Sequence, residues 1–136
     1  MLLVEGDRLR FNRLIPELTV SDLERSKAFY EKLGFKIVYQ REEDNFCFIE
    51  LDGNQLMLQK NNSNWNVGPM EYPYGNGINI SMTVDNIEEL YARVVDEKLK
   101  LFLDLETHSY RVEDKFYDDK EFLIQDPDGY LLRFNN

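Results

Sequence analysis

The sequence predicts an α+β fold built from two copies of one unit, in which a strand, a helix and three further strands follow one another. Residues 14–34 combine the alternating apolar residues of a strand with the apolar stripe of a helix, and residues 76–99 repeat this order. Thr19-Val20 and Thr83-Val84 occupy matching places, 64 residues apart. Because two copies are few for a solenoid, we expect a closed, pseudo-symmetric domain.

The first unit is expected over about residues 12–60. Its first strand covers residues 14–20, and Ser21 with Glu24 has the spacing of a capping box, which predicts a helix beginning near Ser21. Gly34 stands where a left-handed C-cap would end that helix. Three strands are then predicted over residues 35–41, 45–51 and 55–60, with a tight turn at Asp52-Gly53.

The second unit is expected over about residues 76–136, so that one domain accounts for residues 1–136. Asp85 and Glu88 form the second predicted capping box, and Asp128-Gly129 is the corresponding turn. Its later strands are predicted over residues 100–105, 121–125 and 130–135. Residues 1–12 form a lead-in that we interpret as an added strand or an arm on a partner.

Two long connections, residues 60–76 and 106–119, are predicted to be loops. Loops of this length in a compact domain are usually functional or disordered. Both are rich in aromatic residues, which favours packing over a ligand, a partner or the edge of the domain itself. Trp65 in the first of them is therefore a candidate for stacking on a ligand.

Composition excludes several classes of function. The chain has 136 residues, 43% of them hydrophobic, and no apolar run that approaches the length of a membrane span or resembles a signal peptide. Cys47 is the single cysteine, so no intramolecular disulfide can form and a cytoplasmic location is expected. The net charge of −10 argues against nucleic acid as a partner and favours cationic ligands.

Three motifs give the chain a family resemblance: TVSDLERSKAFYEKLGF at residues 19–35, TVDNIEELYARV at residues 83–94 and FLIQDPDGYLLRF at residues 122–134. Together they resemble the vicinal-oxygen-chelate superfamily, which includes glyoxalase I, extradiol dioxygenases and bleomycin-resistance proteins. The resemblance implies that each βαβββ unit curls into a mixed half-barrel sheet, with helices outside and a cavity inside. It says little about chemistry, since the superfamily has many functions.

The alternation of side chains along the strands is consistent with this arrangement. One set of faces is apolar and is expected to pack on the helices; it holds Leu14/Leu18, Leu56/Leu58, Ile78/Ile80/Met82 and Leu132/Phe134. The opposite faces are polar and are expected to face the cavity; they hold Glu17, Gln55, Gln59, Asn79, Ser81 and Arg133. Phe46 and Phe48 are expected in the cavity, with Cys47 on the helix side.

Enzymes of the superfamily hold a divalent metal on four cavity side chains, and the resemblance places those positions at Ile15, Met57, Asn79 and Arg133. An aliphatic group, a thioether, an amide and a guanidinium do not provide the oxygen and imidazole ligands that such an ion requires. We therefore expect no metal and no other cofactor, with Arg133 paired to a ligand or to Glu17. His108, the single histidine, is interpreted as a surface loop residue.

We therefore expect a metal-free protein that resembles the bleomycin-resistance branch and sequesters a drug-like, cationic or aromatic ligand. Its expected biological role is antibiotic resistance. It is expected to be a homodimer, with neither nucleic acid nor a membrane as partner, and no catalytic residue is assigned. One alternative is a lyase or dioxygenase; another is a non-binding interaction protein whose cavity is filled by its own side chains. The candidate ligand-binding residues are Glu17, Phe46, Phe48, Glu50, Gln59, Trp65, Asn79 and Arg133.

Overall fold

A computed structural model describes residues 3–4 and 7–136 of the chain. A short antiparallel pair, β1 (Leu3–Val4) and β2 (Asp7–Arg8), comes first. The first unit contains β3 (Glu17–Val20), α1 (Leu23–Leu33), β4 (Lys36–Arg41), β5 (Phe46–Leu51) and β6 (Asn54–Lys60). The second unit contains β7 (Asn79–Thr83), α2 (Ile87–Asp96), β8 (Leu101–Val112), β9 (Lys115–Gln125) and β10 (Leu131–Asn135).

The two units have the same sheet topology, which confirms the predicted α+β fold of two βαβββ units. The N-terminal sheet has the order β3-β6-β5-β4 and the C-terminal sheet the order β7-β10-β9-β8. In each sheet the first and last strands of the unit pair in parallel, and the remaining pairs are antiparallel. The extra strand or arm predicted for residues 1–12 lies partly outside the described residues.

Both helices begin one residue later than a capping box at Ser21 or Asp85 would require. Asp22 is the N-cap of α1, and its side chain accepts a hydrogen bond from the Arg25 amide. Asn86 is the N-cap of α2, and its side chain accepts one from the Glu89 amide. The predicted capping boxes were wrong because contacts between the units engage the residues before the caps. At the other end of α1, Gly34 has φ 115° and forms the predicted left-handed C-cap.

The core lies between the helices and one face of each sheet, called here the helix face. Leu18 and Val20 of β3 and Met82 of β7 are buried there with Tyr30, Leu33 and Val94 of the helices. Leu14 and Ile78 were assigned to this face but are 78% and 65% exposed. They precede the strands, which begin at Glu17 and Asn79, so strand alternation does not govern their side chains.

Residues 106–119 form a β-hairpin and not the loop that the sequence predicted. Strands β8 and β9 pair from Leu101↔Ile124 to Val112↔Lys115. The polar, acidic sequence resembles a loop because most of this hairpin is exposed to solvent. By contrast, residues 61–78 form the long connection that the sequence predicted.

Paired aspartates in the turns of the two units connect each unit to the helix start of the other. Asp128 accepts hydrogen bonds from the amide and hydroxyl of Ser21, at 2.9 and 2.5 Å. Asp52 accepts one from the amide of Asp85 at 2.9 Å. Ser21 and Asp85 are 64 residues apart, so the repeat seen in the sequence reappears as a reciprocal contact between the units.

Asp126 is a buried carboxyl group at the centre of the same junction. Its Oδ2 accepts a hydrogen bond from the Tyr30 hydroxyl at 2.7 Å, and its Oδ1 accepts two from the amides of Asp128 and Tyr130. Burial raises the pKa of Asp126 to about 6 and raises the pKa of the Tyr30 phenol. The carboxyl therefore holds the turn of the second unit against the helix of the first.

Candidate functional site

The polar residues assigned to the cavity share the face of each sheet that turns away from the helices, called here the helix-free face. In the N-terminal sheet, Glu17 pairs with Met57, which pairs with Phe48. In the C-terminal sheet, Ser81 pairs with Arg133, which pairs with Leu123. Since paired residues lie on one face, these two rows follow the predicted alternation. The two sheets differ in whether other side chains of the protein cover this face.

On the N-terminal sheet, aromatic side chains of the chain itself fill the helix-free face. Phe48 is fully buried, stacked on Tyr39 at 5.2 Å between ring centroids and met edge-on by Phe11 at 5.4 Å. Phe46 is buried beneath the Arg41 guanidinium, 4.1 Å from its centroid. Both rings are on the predicted face, but their surfaces are occupied, so stacking on a ligand would require Phe11 or Arg41 to move.

The polar candidates on this sheet also have partners within the chain. Gln59 donates a hydrogen bond to the carbonyl of Asp44 at 2.6 Å, and Glu50 accepts one from Gln55 at 2.7 Å. Gln55 in turn binds the backbone of Arg10 and Asn12, which holds Phe11 over the sheet. The lead-in segment thus closes this face, a contact that strand periodicity does not predict.

The C-terminal sheet leaves its helix-free face open as a pocket of about 570 Å³. Asp119, Glu121 and Arg133 supply charged groups, and Tyr110 supplies an aromatic face that stacks on Tyr117 with 5.9 Å between centroids. The remaining lining is polar, from Ser81, His108, Ser109 and Asn135. We call this space the polar pocket.

Polar and charged side chains connect strands β8, β9 and β10 beneath the polar pocket. Arg133 donates to Glu121 from Nε and Nη2, each at 3.0 Å, so its partner is Glu121 and not Glu17 as the sequence suggested. Glu121 lies on β9, adjacent to β10. It is the first residue of the strand predicted over residues 121–125, but it was not among the candidate site residues. His108 lies in strand β8, with its Nε2 3.1 Å from Glu106 and 3.6 Å from Glu121.

A second space of about 470 Å³ lies where β3 approaches β7, and we call it the junction groove. It is largely apolar, with Leu14, Ile78 and Leu131 among its lining residues. The candidates Glu17 and Asn79 also line it, and Ser81 belongs to both spaces. The structure therefore brings Glu17, Asn79 and Arg133 to one continuous surface, whereas Trp65, 64% exposed, contributes to neither space.

The four positions that would hold the superfamily's metal do not fit one. Met57 and Asn79 offer a thioether and an amide, Ile15 offers no donor, and the Arg133 guanidinium is already bound to Glu121. Over residues 3–4 and 7–136, no cluster of three or more histidine, cysteine, aspartate or glutamate side chains is arranged to hold a metal.

Cys47 does not supply a nucleophile to this surface. It is fully buried on the helix face, as the alternation predicted, and burial raises the pKa of its thiol to about 11. The reactive thiolate is therefore scarce at neutral pH. His108 lies on the opposite face of the other sheet, so the two side chains cannot act together.

Comparison with known proteins identifies the family. The sequence profile of the Glyoxalase/Bleomycin resistance protein/Dioxygenase superfamily matches residues 10–134. The chain belongs to this superfamily. Bleomycin resistance proteins of Geobacillus stearothermophilus and Staphylococcus aureus are 26% identical to it over 130 residues, which cover 88% of this chain and 92% of theirs.

Solved structures support the same fold. The glyoxalase/bleomycin resistance protein/dioxygenase of Alicyclobacillus acidocaldarius has a TM-score of 0.65 and 23% identity, over 91% of this chain and 89% of its own. A bleomycin-binding protein in complex with bleomycin has a TM-score of 0.64 and 21% identity, over 93% and 98%. No helix in the described part of this superfamily member is long and apolar enough to cross a membrane.

Proposed function

We propose that this member of the superfamily binds a small molecule on the helix-free face of its C-terminal sheet and sequesters it without metal chemistry. The observation that supports this most directly is the open polar pocket, which combines charged groups with the Tyr110–Tyr117 pair. The proposed site residues are Glu17, Asn79 and Arg133 from the sequence, joined by Tyr110, Asp119 and Glu121. The similarity to bleomycin resistance proteins suggests a planar or cationic drug as ligand.

Calorimetric titration with bleomycin, doxorubicin and ethidium tests this proposal. We expect saturable binding of at least one probe, which is recovered chemically unchanged. Ser81→Trp should abolish binding because Ser81 lines both spaces, whereas Asp96→Trp at the exposed end of α2 should not. Failure of all three probes to bind would contradict the proposal, and recovery of a modified probe would favour the alternative of an enzyme.

A metal content well below one equivalent per chain is expected, because the four family positions lack suitable donors. Elemental analysis of purified protein for zinc, nickel, manganese and iron checks this. Treatment with a chelator should leave both the midpoint temperature of thermal unfolding and the affinity for the probes unchanged. About one equivalent of metal, removed by chelator with loss of an activity, would refute this expectation.

A second candidate function is that of an interaction protein, and the filled face of the N-terminal sheet favours it. Phe11 and Tyr39 occupy on that sheet the space where a ligand would otherwise lie. This candidate predicts that the C-terminal pocket is also closed in solution, by a partner. Probe binding to the isolated protein would decide against it.

The projecting hairpin of β8 and β9 supports the proposal that the chain forms a homodimer. Its exposed apolar side chains are Phe116, which is 72% exposed, Phe102 and Val112, of which Val112 lies on the face opposite Phe116. Burial of such side chains against a second copy would remove apolar area from water. We expect a dimer by light scattering at tens of micromolar and a monomer for Phe116→Asp. Val67→Asp changes a fully exposed loop residue and is the matched control, which should remain a dimer. A monomeric wild-type protein would contradict the proposal.

A further inference from the structure

The junction groove and the polar pocket follow one another along the same two strands. Asn79 and Ser81 are successive helix-free positions of β7, and they pair with Leu131 and Arg133 of β10. The Asn79–Leu131 pair lines the groove, the Arg133 side chain lines the pocket, and Ser81 lines both. Alternate strand residues are about 6.6 Å apart. One molecule of modest length can therefore contact both spaces.

The groove end of this surface offers apolar contact. Leu14 and Ile78 are both largely exposed although they are aliphatic, and they are 64 residues apart in the repeat. Both line the junction groove, together with Leu131. An apolar group placed there would remove all three side chains from water, which favours binding by about 25 cal/mol for each Å² buried.

The lining of the pocket end includes a carboxylate that is unpaired within the described chain. Arg133 neutralises Glu121, and Glu106 lies beside His108. The Asp119 carboxylate is half-buried in the lining and has no hydrogen bond or ion pair with any residue of the described chain. A cation bound beside Asp119 would supply the missing partner, and the net charge of −10 would attract it over longer distances.

From this arrangement we propose that the ligand is an elongated amphipathic cation, with its apolar end in the junction groove and its positive end beside Asp119. This inference rests on the binding function proposed above and adds the class and orientation of the ligand. Ser81 pairs with Arg133, which pairs with Leu123, and Asp119 lies four residues along β9 from Leu123. The two ends are therefore about 13 Å apart along the strands and about 10 Å apart across them, or roughly 16 Å in a straight line. A phenyl ring joined to an ammonium group by a chain of about eight carbon atoms spans that distance.

Three probes of equal length test this inference: 8-phenyloctylamine, 8-phenyloctan-1-ol and 8-phenyloctanoic acid. Titration calorimetry at neutral pH should show the amine binding at least tenfold more tightly than the acid, with the alcohol between them. Propylamine, which cannot reach the groove, should bind at least tenfold more weakly than the long amine. Equal affinity for the amine and the acid would overturn the proposal.

Two pairs of variants locate the two ends. Asp119→Asn should remove the preference for the amine, whereas Asp118→Asn, on the other face of the hairpin, should keep it. Ile78→Asp should weaken binding of the neutral alcohol at least fivefold, whereas Val95→Asp, an exposed position of α2, should not. Unchanged binding in Asp119→Asn or Ile78→Asp would refute the orientation.

The result can be separated from failure of the general binding function. If bleomycin, doxorubicin or ethidium binds but the three matched probes show no preference for the amine, the inference is wrong and the binding function stands. If neither set of probes binds, both are wrong.

Discussion

Replacing Asp126 with alanine is expected to lower the free energy of unfolding by about 3–5 kcal/mol at pH 5, because three buried donors lose their acceptor. These donors are the Tyr30 hydroxyl and the amides of Asp128 and Tyr130. Asp126 is 3% exposed, so water cannot readily replace the carboxyl. Urea denaturation followed by circular dichroism measures the loss.

Tyr30→Phe isolates one of these contacts. It removes only the 2.7 Å hydrogen bond to Asp126 and is expected to cost about 1–3 kcal/mol. Tyr91→Phe is the matched control, since the Tyr91 hydroxyl also donates to a carboxylate, that of Asp104, but at an exposed site. A loss in Tyr91→Phe as large as in Tyr30→Phe would show that burial does not determine the cost.

The pH dependence of Asp126→Asn provides an independent test of the same carboxyl. Burial raises the pKa of Asp126 from 3.8 to about 6, so between these values the folded protein retains a proton that the unfolded chain releases. The stability from this group is therefore present below about pH 4 and is lost as the pH rises through 6, by roughly 3 kcal/mol.

Asparagine cannot ionise, so the advantage of wild type over Asp126→Asn should shrink between pH 4.5 and pH 7.5. Parallel urea titrations of the two proteins at several pH values measure this difference. A difference that is constant with pH would show that the carboxyl has its ordinary pKa.

Gly129→Ala is expected to destabilise the protein by about 2–4 kcal/mol, through backbone conformation and through a clash. Gly129 has φ 99°, a conformation that disfavours any residue with a Cβ. A Cβ added there would lie 2.6 Å from the Cβ of Pro73, which belongs to the long connection between the units. The turn and the connection would have to separate to accommodate it.

Gly53→Ala is the matched control for this substitution. Gly53 occupies the corresponding turn of the first unit with φ 82°, but an added Cβ would have no atom within 4 Å. Its loss of stability should therefore reflect the backbone conformation alone, about 1–2 kcal/mol. Equal losses for both glycines, measured by thermal unfolding, would show that Pro73 does not press on the turn.

The sequence by itself determined the repeated unit and the face of each strand that carries its polar residues. Both follow from local physics: strand alternation assigned Leu18 and Arg133 to opposite kinds of face, and Gly34 marked a helix end through its left-handed conformation. Family membership was recognisable for the same reason, since its motifs lie at the starts of helices and in turns.

Only the tertiary structure decided which helix-free face is open. Phe46 and Phe48 alternate correctly, but Arg41 covers Phe46 and the lead-in residue Phe11 covers Phe48. No local pattern predicts the contact between Phe11 and Phe48 across 37 residues of chain. Likewise, Ser21 resembles a helix cap until Asp128, 107 residues away, binds it. Alternation specifies the face of the sheet to which a side chain points. Whether that side chain is then covered or exposed depends on segments distant in sequence that packing brings together.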